Sequence, residues 1–373
     1  MKFSCPKEKL LNGIQTVQRA VSSRTTVTLL TGIYLETSGN NLIFRGTDLE
    51  IFIEYILPAE ILAEGKTVLP ARFLHDLVRR LPDGDLRIEQ PPGEQSLVFH
   101  YGKSQVRING MDPTDFPHLP AINQPQKLQI SAPSFHDLVG KVNTASSTDI
   151  TRPVFSGIYV ETEEDGFLTM VATDTHRLAY AKTPLPTREK INFSFIAPTR
   201  SLMEISRLTE EKEILNIVAG TNQASFQTDG LTITTRLIEG DFPMYRQVIP
   251  EAYSTRIRVN TSLLYDTLDR AVLLAREDIR SRSHAVYLKT AGNTLVIQSQ
   301  SPEIGTIYEE IPIYLEGEDM EIAFNGKYLT DALKSMETEE VYFDLTGALS
   351  PGIFRPVNND DFLYLILPVR RGT

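Results

Sequence analysis

GIYLET at 32–37 returns as GIYVET at 157–162 and, more loosely, as AVYLKT at 285–290, so one apolar strand pattern recurs 125 and then 128 residues later. A period of that size is the length of a domain, and three copies account for nearly all of the 373 residues. The copies are expected at 1–122, 123–250 and 251–373. Copies one and two both finish on an Asp-Phe-Pro turn, DFPHLP at 115–120 and DFPMYRQVIP at 241–250. Equal domains in tandem, with no distinct catalytic module, build an extended surface more readily than one buried active site.

Each copy carries the same order of elements. An amphipathic helix comes first, predicted at 4–21, 133–147 and 261–276. In the first of these Leu10, Ile14, Val17 and Val21 recur at helical spacing, while Lys9, Asn12, Gln15, Thr16 and Arg19 take the opposite face. Strands follow, for example 41–46 and 50–57 in copy one. A second helix is predicted within 68–81, 195–208 and 324–336, and three strands such as 85–90, 96–101 and 104–109 close the copy. The predicted class is α+β, with two helices per copy packed on antiparallel sheets.

Composition narrows the function. With 41% hydrophobic and 23% charged residues the chain is an ordinary globular one. No apolar run approaches a bilayer span and no secretory apolar segment follows the first lysine, so a cytoplasmic protein without membrane contact is expected. A single cysteine, Cys5, fits a reducing compartment. The net charge of −11 argues against a protein that coats nucleic acid over its whole surface. Its distribution is uneven, because the six helical segments sum to +6 and the remainder to −17.

Catalytic and cofactor signatures are few. Phosphate-binding glycine loops, zinc-protease and nucleophile-elbow motifs are missing, and the six histidines lack metal-ligand spacing, so neither metal nor cofactor is expected. One cluster stands out: ATDTHRLA at 172–179 crowds Asp174, His176 and Arg177 into four residues. A hydrolase would use His176 as a base oriented by Asp174, with Ser156 as nucleophile. The plainer reading is an Asp-capped turn carrying a hydrogen-bonded histidine.

ATDTHRLA, the LPAR-x-x-x-x-L step at 69–77, TDLEI at 47–51, DFP-x-Y-R-x-V-x-P at 241–250 and LPVR at 367–370 occur in an order that, over the whole chain, resembles the bacterial replicative sliding clamp, the beta subunit of DNA polymerase III. The resemblance implies the DNA-clamp fold. It also implies a head-to-tail homodimer of three-domain crescents that closes a ring around duplex DNA, with helices lining the hole and no catalytic activity. It further implies a hydrophobic pocket in which the replicative polymerase, the clamp loader and repair proteins insert a short peptide. Matching pocket positions are Phe155, Thr173, Thr175, His176, Arg177, Leu178, Pro243, Gln247, Val248, Ser350, Leu365, Leu367, Pro368, Val369 and Arg370, with Arg177 and the main chain orienting the peptide. Thr175 stands where family members often carry glycine, and Pro153 and Val154 stand where some carry a tyrosine pair.

Arg24 and Arg72 match positions that face DNA in the family, and Arg152 is a further one. For the dimer, the core stripe Leu264, Leu268, Ala271 and Ala275 leaves Leu273 on the polar side of its helix. With Leu274 it is expected to meet Val106 and Ile108 on the edge strand of a second copy, with Lys103 and Arg107 pairing acids near Glu303 at the rim. A protein-binding scaffold that never touches DNA and the hydrolase built on Asp174 and His176 are the alternatives.

Overall fold

A computed structural model describes residues 1–22, 25–119, 122–123, 125–162, 165–186, 193–209, 212–276 and 284–369. The three copies of the repeated segment are strands Gly32–Ser38, Gly157–Thr162 and Ala285–Ala291, and each holds the same place in a four-strand set. Gly32–Ser38 lies between Gly65–Pro70 and Asn41–Thr47, with Ile51–Pro58 beyond. Gly157–Thr162 lies between Ser194–Pro198 and Phe167–Thr173, with Arg177–Pro184 beyond. Ala285–Ala291 lies between Glu321–Asn325 and Thr294–Ser301, with Gly305–Pro312 beyond. All these ladders are antiparallel.

The repetition has a packing cause. Tyr34 packs 5.2 Å from Phe116, and Tyr159 stacks 4.9 Å from Phe242. In both copies, therefore, the tyrosine of the repeated strand holds the phenylalanine of the Asp-Phe-Pro turn, an aromatic pair that contributes beyond its buried area.

The helices are α1 Lys7–Gln18, α2 Ala71–Arg80, α3 Ala132–Val142, α4 Thr199–Thr209, α5 Thr261–Arg276 and α6 Gly326–Lys334. α1 packs on α2 and on strands Asn41–Thr47 and Ile51–Pro58, and α5 packs on α6 and on Thr294–Ser301. Most of the expected apolar stripes are inside: Leu10, Ile14 and Val17 on α1, and Leu264, Leu268, Ala271 and Ala275 on α5, are all buried. Three predicted helix ends are corrected, the first being that of α1 at Gln18, which leaves Val21 outside the helix and half-buried. Residues Lys2–Pro6 form a strand, because Phe3 and Cys5 alternate inward and Pro6 sets the turn into α1. α3 stops at Val142, where the Asn143 side chain donates to the carbonyls of Val139 and Gly140 and so takes up carbonyls left free at the helix end.

Strand pairing also joins the copies. Leu231–Arg236, the last strand of the middle copy, pairs with Ile51–Pro58 of the first, setting Ile233 opposite Ile53. Phe362–Ile366, the last strand of the third copy, pairs with Arg177–Pro184 of the middle one, setting Tyr364 opposite Ala179. The match extends to single hydrogen bonds at the ends of the seams, Arg236 N to Glu50 O at 2.9 Å and Leu367 N to His176 O at 2.8 Å. By contact the chain divides into two compact units, Met1–Pro133 with Glu204–Leu237 and Ser134–Met203 with Ile238–Thr373, and each seam lies inside one of them. Among the described residues, two of the strands that could take part in such seams stay terminal in their sheets: Ser104–Ile108, the last strand of the first copy, ends the five-stranded sheet, and Gly305–Pro312, the outer strand of the third, ends the four-stranded one, while Glu60–Ala63, Gln126–Ser131 and Tyr314–Gly317 are among the other sheet edges. Among the described residues no helix is long and apolar enough to cross a membrane.

α1 lies very close to its sheet at Gly46, where a Cβ would sit 2.4 Å from the carbonyl oxygen of Val17. Backbone cannot yield as a side chain can. Gly46→Ala should therefore destabilise the first copy by about 1–3 kcal/mol, read as a lower denaturation midpoint; an unchanged midpoint would show that the helix is free to shift.

Candidate functional site

The hairpin turn at 173–177 is built by its own side chains. Thr173 Oγ1 donates to the Arg177 carbonyl at 2.7 Å, and the N–H of Thr175 donates to Thr173 Oγ1. Asp174 Oδ1 accepts from the N–H groups of His176 and Arg177 at 2.9 and 3.0 Å. Closing this turn requires a left-handed residue, and Thr175 sits at φ 78°. The first copy makes the same turn at 47–51 with the same hydrogen bonds, and there Leu49 takes φ 76°.

This geometry removes the hydrolase reading. Asp174 spends Oδ1 on the backbone and Oδ2 on Arg177 Nε at 2.9 Å, so its carboxylate serves the turn rather than the imidazole. Ser156 donates its hydroxyl to the Pro153 carbonyl at 2.7 Å, and His176 is exposed. The Asp-capped turn is what forms.

Around the turn lies an apolar cavity of about 220 Å³. Ten expected residues line it: Phe155, Thr173, Thr175, His176, Arg177 and Leu178 on one side, Pro243 and Val248 on another, and Leu365 on the strand across the seam with Leu367 just past its end. Met244, Tyr245 and Pro351 line it as well and were not foreseen. Gln247 instead reaches the sulfur of Met244, Ser350 adjoins the lining Pro351, and Pro368 and Val369 follow Leu367 without lining the cavity. Arg370 lies outside the described residues. Met244 (74% exposed) and Val248 (55%) offer apolar surface to water at the rim. Beneath the cavity, Val171, Leu178, Tyr245, Ile353, Leu363 and Leu365 form one buried cluster.

Two polar assemblies fix the walls. Glu161 accepts from Tyr245 at 2.6 Å, Arg246 at 2.7 Å and Tyr159 at 3.0 Å, which ties the 242–248 segment to the repeated strand. Burial first, and then Glu161, push the Tyr245 hydroxyl above the usual tyrosine range. The second assembly surrounds Arg177. The side chain is only 10% exposed, and its guanidinium donates to Asp174, to Asp331 at 2.7 Å and to the Tyr364 hydroxyl at 3.3 Å, and lies 4.3 Å from the centre of the Tyr328 ring. Burial works against this charge, but Tyr364, Asp331 and Asp174 outweigh it and hold the guanidinium above its ordinary pKa. Arg177 thus lines both cavities while its charged head is engaged by partners within the protein. A second, polar cavity of about 400 Å³ adjoins the first and shares Phe155, Thr175, His176 and Arg177 with it; Arg152 and Tyr328 also line it.

Models of three families match in succession: the DNA polymerase III beta subunit N-terminal domain over 1–120, its central domain over 129–244 and its C-terminal domain over 246–370. The chain belongs to the DNA polymerase III beta subunit family. The beta sliding clamp of Bacillus subtilis is 36% identical over 99% of this chain and 100% of its own, and that of Halalkalibacterium halodurans is 34% identical over the same shares. The crystal structure of the Bacillus subtilis DNA polymerase sliding clamp superposes with a TM-score of 0.94 at 35% identity, covering all of both chains. A Pseudomonas aeruginosa sliding clamp bound to griselimycin superposes with a TM-score of 0.92 at 28% identity over 99% of each chain. The chain is accordingly a sliding clamp of DNA replication, a non-catalytic processivity factor with DNA and polymerase-related proteins as partners. The scaffold that never meets DNA falls with the hydrolase.

The remaining clamp residues divide. Leu273 is 59% exposed on α5 and Leu274 half-buried, whereas Ile108 is 3% exposed and belongs to the core of its own sheet. On strand Ser104–Ile108 it is Val106, on the same face, that keeps partial exposure. Lys103 and Glu303 are exposed, and Arg107 already pairs with Glu94 at 2.9 Å. Arg72 is exposed in the first turn of α2, Arg152 is exposed beside the polar cavity, and Arg24 lies outside the described residues. Several helix cations have acidic partners, among them Arg19 with Glu204 and Lys141 with Asp137. Such surface pairs are weak and screened by salt.

A threonine held at φ 78° is strained where glycine would not be. Thr175→Gly should raise stability by about 1 kcal/mol, seen as a higher melting temperature. A lower melting temperature would mean that the threonine side chain contributes more than the backbone costs.

Proposed function

We propose that two copies of this chain close head to tail around duplex DNA, and that the cavity at the second seam holds a short peptide from the replicative polymerase, the clamp loader and repair proteins. The observation that carries the ring is the pair of free strand edges. Within the chain, the last strand of each later copy covers the outer strand of the copy before it. Among these outer and last strands, the outer strand of the third copy, Gly305–Pro312, and the last strand of the first, Ser104–Ile108, are the two left without such a cover among the described residues. Joining them between two chains repeats the internal rule, and exposed edges left uncovered invite uncontrolled pairing.

Apolar surface supports the same contact. Leu273 on α5, with Ile304 and Tyr308 at the free strand, are all exposed, and α5 packs on Gly305–Pro312. First and third copies differ, so the contact is heterologous, yet two such contacts close a twofold ring with no open end. Encirclement needs no strong grip. A lining with modest positive charge, including Arg72, favours the duplex without the many phosphate pairs that would resist sliding. The acidic remainder of the chain discourages non-specific adhesion elsewhere. Such a protein works in the bacterial cytoplasm, at the nucleoid.

For the pocket, the exposed Met244 and Val248 are surface that an aliphatic or aromatic anchor would cover, at roughly 25 cal/mol per Å² buried. Griselimycin, the ligand of the Pseudomonas aeruginosa clamp, is inferred to bind here too.

Two substitutions separate the two roles. Leu273→Asp should turn a dimer at micromolar concentration into a monomer in sedimentation, with griselimycin binding retained. Val248→Asp should weaken griselimycin at least tenfold by calorimetry while the dimer persists. A dimer indifferent to Leu273→Asp would contradict the proposed closure.

A further inference from the structure

The two seams inside the chain act as a control for each other. The 47–51 and 173–177 turns share their hydrogen bonds and their left-handed residue, and both seams end on an equivalent backbone bond. Where the second turn has Arg177, the first has the buried apolar Ile51. Neither the turn nor the seam therefore requires an arginine. A buried ion network is also a poor source of stability, since desolvation offsets most of its attraction. The cluster around Arg177 needs another reason to exist.

Its geometry points to one. Arg177 is joined to three places at once: Asp174 on its own turn, the Tyr364 hydroxyl on the strand across the seam, and Asp331 on α6, 154 residues away in sequence. Asp331 is buried and is steadied from the solvent side by Lys327 at 3.1 Å. Tyr364 in turn meets the Thr144 hydroxyl at 3.3 Å. The turn forms one wall of the apolar cavity, and Leu365 on the strand carrying Tyr364, with Leu367 just past its end, forms the adjoining one, Leu178 pairing with Leu365 in the ladder.

We propose that Asp331, which lines neither cavity, is a positioning residue for peptide docking: acting through Arg177, it fixes the 173–178 wall relative to the Leu365 and Leu367 wall and so keeps the pocket preformed. This rests on the pocket being the docking site. A preformed wall spares the ligand the cost of ordering it, so losing the tether weakens binding without removing any contact to the ligand.

Griselimycin titrated into the full chain tests this. Asp331→Asn should weaken it about tenfold, which corresponds to roughly 1.4 kcal/mol. Arg177→Ile, which copies the first turn but also removes a cavity-lining side chain, should weaken it at least as much, and the double variant should be no weaker than Arg177→Ile alone, because Asp331 acts through Arg177. In the unliganded Asp331→Asn protein the His176 ring resonances should shift, reporting a displaced turn, while those of His75 stay in place. Additive losses, or an Asp331→Asn protein that melts earlier but binds griselimycin normally, would overturn the proposal and leave Asp331 a structural residue. If Val248→Asp binds griselimycin like the parent, the pocket reading itself fails and takes this proposal with it.

Discussion

An antiparallel sheet that stops at an unpaired strand leaves a row of backbone donors and acceptors unsatisfied within the protein, and the architecture follows from how those edges are covered. Each copy ends its first four-strand set on such an edge. Leu231–Arg236 covers Ile51–Pro58, and Phe362–Ile366 covers Arg177–Pro184. Because the rule is applied twice in three copies, it leaves one donor strand and one acceptor strand over. The proposed ring of two chains uses both.

The pocket is a by-product of the same rule. The hairpin turn before each covered strand reaches the end of the covering strand, as the Glu50 to Arg236 and His176 to Leu367 hydrogen bonds record. The side chains then decide what each junction does. At the first junction the turn presents Glu50 and Leu49 opposite Arg236. At the second, His176 and Thr175 stand opposite Leu367, with Met244 and Val248 exposed alongside. Exposed apolar side chains around a concavity are unfavourable in isolation and useful once a partner covers them. One fold element thus serves as a plain joint in one place and as a docking site in another.

Much of this was legible in the sequence, and the exceptions have physical causes. The repeat, the helices and the apolar stripes of α1 and α5 were readable because burial imposes a period on the residues themselves. Strand Lys2–Pro6 escaped because its five residues run directly into a helix, and Lys7 onward carries the stronger periodic signal. Thr175 was marked by its departure from glycine, and its left-handed backbone explains why that departure matters. Ile108, expected beside Val106 at the contact with a second copy, is buried in its own sheet while Val106 keeps partial exposure, and alternation alone does not say how far along an edge strand a shared face is covered. The partner that engages Arg177, Asp331, escapes sequence reading because it is remote in the chain, and no local pattern announces a long-range ion pair. Met244 and Tyr245 sat inside a segment that read as a turn, with nothing periodic to indicate which side chains point where.

The proposed ring holds DNA topologically, by enclosing it. Loaded onto a nicked circular duplex and washed at high salt, the protein should remain bound, and it should be lost when the same DNA is linearised with a restriction enzyme. Phosphate pairing would be weakened by salt in both cases, whereas a ring is released only by a free end. Equal retention on circular and linear DNA, or equal loss from both, would contradict the account.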